Sequence, residues 1–96
     1  MASTPRYRAS ERALLTELGD GTAVLLDLDS KFYFTLNETA LFVWQQIVPG
    51  PLPRDEVAGR LARAFEVDVA QAEADLDAVL DLLARERLVA VSPPEP

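Results

Sequence analysis

The sequence predicts an α+β domain in which a three-stranded antiparallel sheet comes first and three α-helices follow. Three observations carry that expectation. Short apolar runs separated by turn residues fill the chain up to Leu36, apolar residues recur at helical spacing from Asn37 onward, and Pro49-Gly50-Pro51 interrupts the helical part. At 96 residues the chain holds one core, because a second domain would have almost nothing to bury. The reading divides it into an N-terminal arm over 1–12, a folded domain over 13–91 and a flexible, proline-rich tail over 92–96.

The first strand is placed at Ala13–Leu18 and ends at Gly19-Asp20-Gly21, a cluster that accepts positive φ and suits a tight hairpin. The second, Thr22–Leu28, is rich in valine and leucine and closes at Asp29-Ser30, which is turn chemistry again. The third, Lys31–Leu36, alternates. Phe32, Phe34 and Leu36 share one face and Lys31, Tyr33 and Thr35 the other, as in a strand half buried against a core. Two short connections imply a meander, which leaves the third strand at an edge with one row of backbone groups unpaired.

Asn37 is a strong N-cap and Glu38 places negative charge in the first turn, so the first helix begins there. Ala40, Leu41, Trp44, Ile47 and Val48 form its apolar stripe, broadened by Phe42 and Val43. A second helix is expected from about Pro53 to Phe65, with Val57, Ala58, Leu61, Ala62 and Phe65 facing inward and Arg60 and Arg63 outward. The third starts at Asp68, with Gln71 placed to complete a capping box, and repeats Ala72, Leu76, Val79, Leu80 and Leu83 at helical spacing. It ends near Arg85–Arg87, and Leu88–Val91 then reads as a short extended segment.

Composition narrows the chemistry. With no cysteine and no histidine, thiolate nucleophiles, cysteine metal sites and the commonest general base and metal ligand are all missing. None of the four glycines lies in a phosphate-cradling loop. The expectation is a protein that is not an enzyme and carries no cofactor and no metal. A net charge of −7, from 16 acidic and 9 basic residues, argues against nucleic acid and anionic membrane as partners. The N-terminus lacks a signal-peptide apolar run and no stretch is long enough to span a bilayer, so a cytoplasmic location is expected.

Four features of the sequence are candidate sites. Asp27 and Asp29 lie near a turn, where capping competes with cation binding. Glu73, Asp75, Asp77 and Asp81 on the third helix could steer a basic partner or simply form a solvated face. Trp44, the only tryptophan, falls on a packed stripe and reads as core rather than as a ligand platform. Lys31-Phe32-Tyr33-Phe34-Thr35 combines an open edge with alternating aromatics, which is what recognition by strand addition needs.

The ordered set Val24-Leu25-Leu26-Asp27, Lys31 to Ala40 (KFYFTLNETA) and Val43-Trp44 resembles the PqqD-like family, the recognition elements of ribosomal peptide (RiPP) biosynthesis. The resemblance covers roughly Leu14 to Val91, the peptide-binding domain it implies. A "Gly-Leu-Val"-like step closes the last helix in that family, and here it reads Arg87-Leu88-Val89, which puts the helix C-cap in question.

What the resemblance implies is a winged-helix-like fold that binds a precursor's leader peptide as an extra strand, between the third strand and the third helix. Carried over by position, the strand side is Lys31, Phe32, Tyr33, Phe34 and Thr35 and the helix side Asp75, Ala78, Val79 and Leu82. Ala78 and Leu82 lie off the main apolar stripe at i, i+4 spacing, which gives the helix a second, smaller apolar strip. Implied partners are the leader peptide and a leader peptidase, cyclase or other modifying enzyme. Among family members the chain is most similar to the stand-alone lasso-peptide proteins. A homodimer through the same edge would compete for the same hydrogen bonds. The alternative from another class is a winged-helix DNA-binding regulator, against which stands the acidic third helix.

Overall fold

The structure, a computed structural model, describes residues 5–92. Strands β2 (Ala13–Glu17), β3 (Ala23–Asp27) and β4 (Tyr33–Leu36) form an antiparallel sheet in that order, and helices α1 (Glu38–Ile47), α2 (Arg54–Phe65) and α3 (Val69–Arg85) follow. The predicted α+β order is therefore present. Gly19 and Gly21 both adopt positive φ in the first hairpin, at 85° and 89°. A Cβ at Gly21 would also meet the exposed Glu38 side chain at 3.0 Å, which would have to move aside.

The expected N-terminal arm is not an arm throughout. Arg6–Ala9 forms β1, the central strand of a second antiparallel sheet, between β5 (Leu52–Pro53) and β6 (Val89–Ser92). The proposed extended segment after the third helix is β6, and Ser92, assigned to the tail, belongs to it. The expected arm over 1–4 and tail over 93–96 lie outside the described residues. This sheet ties the start of the chain to the entry of α2 and the exit of α3.

The core lies between the two sheets and the helices. Leu25, Leu36, Val43, Ile47, Val57, Leu61, Leu76, Leu83 and Leu88 are almost fully buried, and no polar or charged residue is buried among the described residues. Trp44 is core, as expected. Two apolar positions differ from expectation. Val48 is 55% exposed because it is the C-cap of α1, and Phe65, the last residue of α2, sits at the rim in an edge-to-face contact with Phe42 at 5.6 Å. Arg60 is half-buried, donating to Gln46 Oε1 at 3.1 Å. No described helix is long and apolar enough to cross a membrane.

The caps explain where the helices begin and end. Asn37 Oδ1 accepts from the Ala40 N–H and Asp68 Oδ1 from the Gln71 N–H, each at 2.8 Å. The capping box is only half made, because the Gln71 side chain turns away to donate to Asp75 Oδ1. At the end of α3 the Leu88 N–H reaches the Leu83 C=O at 2.8 Å and the Arg87 N–H the Ala84 C=O at 3.1 Å. This is a Schellman motif with Arg87 at the left-handed position, φ 60°. The arginine does not disturb the cap geometry; it occupies a conformation that glycine adopts more readily.

Candidate functional site

The edge position of the third predicted strand is confirmed, since β4 pairs only with β3. One hydrogen bond fixes which groups point outward. The Asp27 N–H donates to the Phe32 C=O at 3.0 Å, making them a hydrogen-bonded pair. Alternation along an antiparallel ladder gives the same type to Leu25 with Phe34 and Ala23 with Leu36. The N–H and C=O of Tyr33 and Thr35 therefore face away from β3, into the open edge.

The turn before β4 is tightly organised. Asp27 Oδ1 accepts from the Asp29 N–H at 2.9 Å and the Ser30 N–H at 3.4 Å, and the Lys31 N–H returns to the Asp27 C=O at 2.7 Å. Asp27 is thus a turn-capping residue, and these donors, the Asp29 amide first, hold its carboxyl below the usual carboxylate range. Lys31 closes the turn with φ 67°. This shortens the strand, so Phe32 precedes β4 and is 67% exposed instead of sharing a buried face with Phe34 and Leu36. Phe34 is half-buried against the core and Leu36 fully buried. Tyr33, 71% exposed, projects from the outer face beside its cross-strand neighbour Leu26, which in turn pairs with Leu14.

On α3, Ala72, Leu76, Leu80 and Leu83 face the core. Asp75, Val79 and Leu82 lie along one flank of that stripe, and Glu86 continues the same flank at helical spacing. Val79 packs against the core, Leu82 is 43% exposed, and Ala78 lies exposed at the outer border of the flank. A cavity of about 240 Å³ joins Phe32 and Phe34 to Arg85, Glu86 and Arg87, with Asp27 and Ser30 at its turn side. Glu86, which continues the Asp75-Val79-Leu82 flank, shares this cavity with the two phenylalanines, so the C-terminal end of that flank meets the turn end of β4. Of the residues singled out from sequence, Phe32, Phe34 and Asp27 line this cavity, Asp27 as the turn cap. Tyr33 and Thr35 flank Phe34 on β4 and Lys31 closes the preceding turn, none of them lining the cavity, and Asp75, Ala78, Val79 and Leu82 lie further along the helix.

Sequence reasoning missed Arg85, Glu86 and Arg87 as wall residues. The signal available was the absent glycine, since an arginine held at a cap position is fixed in space beside whatever the helix end faces. The acidic helix face also proves more structured than a solvated one. On the opposite flank, Asp77 accepts two hydrogen bonds from Arg54 at 2.7 and 2.8 Å, with Glu73 at 3.9 Å from the same guanidinium. The Arg54 bonds hold the Asp77 carboxyl below its usual range, and Asp77 in turn raises Arg54. That pair fastens α2 to α3 on the side away from β4.

Three solved structures share the fold. TbiB1, in complex with the TbiA(beta) leader peptide, superposes with a TM-score of 0.75 at 26% identity, over 85% of this chain and 93% of that one. A lasso peptide synthetase B1 complexed with its leader peptide is 30% identical, with a TM-score of 0.69 over 91% and 98% of the two chains. The solution structure of the PqqD truncation of Methylobacterium extorquens PqqCD, a stand-alone RiPP recognition element, gives 0.71 at 26% identity over 88% of each chain. Comparison with curated proteins gives no match. The profile of coenzyme PQQ synthesis protein D (PqqD) matches residues 22–89, from the start of β3 through the first residue of β6, and the chain belongs to the PqqD family.

Proposed function

We propose that this chain is a non-catalytic recognition module that binds the leader segment of a ribosomally made precursor peptide. The leader adds as a strand to β4, with the Asp75-Val79-Leu82 flank of α3 as the facing wall. The observation that carries this is the open edge, where the N–H and C=O groups of Tyr33 and Thr35 point outward from the sheet. Main-chain bonds at such an edge supply affinity, and pockets for alternate side chains supply selectivity. Two solved relatives hold leader peptides, which supports the same use here.

In this reading Tyr33 and Thr35 contribute backbone, while Phe32 and Phe34 shape the cavity at the turn end. Lys31 brings a cation to the entrance, and Leu82, Val79, Ala78 and Asp75 contact leader side chains along the helix. The module then presents the leader to a peptidase, cyclase or other modifying enzyme in the cytoplasm. Lacking cysteine and histidine, it suits recruitment better than catalysis. Self-pairing through β4 would compete with the leader and make its affinity fall as protein concentration rises. A duplex-DNA role has no support in α3, whose exposed flanks carry Asp75, Asp77 and Asp81.

The test is a fluorescence-anisotropy titration of a labelled leader, taken from the precursor encoded nearest this chain, against wild type and Leu82→Glu. Saturable binding to wild type, weakened about tenfold or more by the variant, is expected, because a charge would enter an apolar contact. No binding to that leader, or equal binding by the variant, contradicts the assignment.

A further inference from the structure

The β2-β3-β4 sheet has a second open edge. The Leu28 N–H donates to the Arg12 C=O at 2.7 Å and the Leu18 N–H to the Thr22 C=O at 3.0 Å. Even-numbered residues of β2 therefore bond to β3, and the N–H and C=O of Ala13, Leu15 and Glu17 point outward. Among the described residues no strand pairs with them. The side chains of these three residues lie on the inner face of the sheet. Together with Trp44 and Val48 they wall a cavity of about 440 Å³ between β2 and the C-terminal half of α1. This is larger than the cavity at β4 and falls in the ordinary range of binding sites, roughly 300–1,000 Å³.

Charge selects what can enter. Glu11 and Glu17 are both exposed and line this cavity, and no cation lines it; Arg8 appears only in the adjoining space toward Pro51. Neither glutamate has an ion-pair partner among the described residues. A second copy of the chain is a poor occupant, since pairing β2 with β2 would bring these same carboxylates together on two molecules of net charge −7. An inward-facing charge on an edge strand repels strands of its own sign and so acts as a filter.

We propose that the β2 edge docks an extended segment of a partner protein, carrying an apolar residue and a lysine or arginine two positions apart. At that spacing both side chains fall on the inner face. The apolar one enters the cavity between Leu15, Trp44 and Val48, and the cation meets Glu17. Combined with leader binding at β4, on which this consequence alone rests, the docked segment and the leader would extend one sheet from opposite edges. The module would then hold a modifying protein and its substrate at once.

The probe is a blocked synthetic peptide with threonine at alternate positions and valine, lysine and valine between them, compared with one bearing glutamate in place of the lysine. Amide exchange and chemical shifts are followed by NMR on the full chain. The expected result is slowed exchange at Ala13, Leu15 and Glu17 with the lysine peptide, at least about tenfold weaker binding of the glutamate peptide, and a reversed preference in Glu17→Lys. A variant that keeps the wild-type amide dispersion elsewhere makes that reversal interpretable. Equal binding of the two peptides, shifts confined to Tyr33 and Thr35, no binding at all, or a dimer through β2 in sedimentation would each overturn the proposal. Adding the leader to the same sample separates the two readings, because it is read at Tyr33 and Thr35 whatever happens at β2.

Discussion

The two three-stranded sheets are built in opposite ways. Strands β2, β3 and β4 are consecutive, joined by hairpins, and leave both outer edges free. Strands β5, β1 and β6 come from three distant parts of the chain, with β1 paired on both sides. Outer strands pair on one side only in both sheets, but those of the local sheet are positioned by their own hairpins. In the nonlocal sheet the central strand is committed to internal pairing, and the sheet acts as a clasp across α2 and α3. On the proposed reading, recognition belongs to the first sheet, and the second closes the fold.

Proline placed in each sheet breaks the comparison most directly. The Ser10 N–H donates to the Leu88 C=O at 2.9 Å, so alternation gives the Arg8 N–H to β6. Arg8→Pro should therefore lower stability by about 3 kcal/mol, measured by the denaturant midpoint, through a lost ladder bond in a central strand. Thr35→Pro removes an N–H that bonds nothing within the sheet. It should change stability by less than about 1 kcal/mol while weakening leader binding by roughly 10- to 100-fold, or about 1.4–2.8 kcal/mol. Equal losses of stability in the two variants would mean that β4 is not a free edge.

Smaller effects sharpen the clasp. Arg87 links α3 to β6 in a left-handed conformation, so Arg87→Gly should raise stability by about 1 kcal/mol with the cap unchanged. Asp77→Asn cuts the Arg54 pair and should lower stability at neutral pH by about 0.5–1 kcal/mol, a modest figure because the Asp77 side chain is 53% exposed. The pH dependence has a definite sign. Folding holds the Asp77 carboxyl below its ordinary value, so its contribution is present above about pH 4 and is lost as pH falls through the folded value. The asparagine variant should lack that part of the acid dependence in a urea series taken from pH 6 to pH 2.

Legibility in the sequence follows the same division. The meander was readable because its turns carry their own chemistry, with Gly19 and Gly21 at positive φ and Asp27 capping its turn. Asn37 and Asp68 marked helix starts for the same local reason. The clasp was not readable. Arg6–Ala9 is short and half charged, β5 is the pair Leu52-Pro53, and both are strands only because of partners far away in the chain. At the site, the two short connections of the meander announced β4 as an edge, but Lys31 closing the turn and exposing Phe32 did not show. The wall residues Arg85–Arg87 did not show because only the fold brings the end of α3 to Phe32 and Phe34.

The central claim is that a leader peptide occupies the free edge of β4. Backbone amide exchange, followed residue by residue while the leader is titrated in, tests it most directly. The account predicts that the Tyr33 and Thr35 amides pass from fast to protected exchange, while Phe34, already paired with Leu25, stays as it was. Saturable binding that leaves Tyr33 and Thr35 unprotected would contradict it.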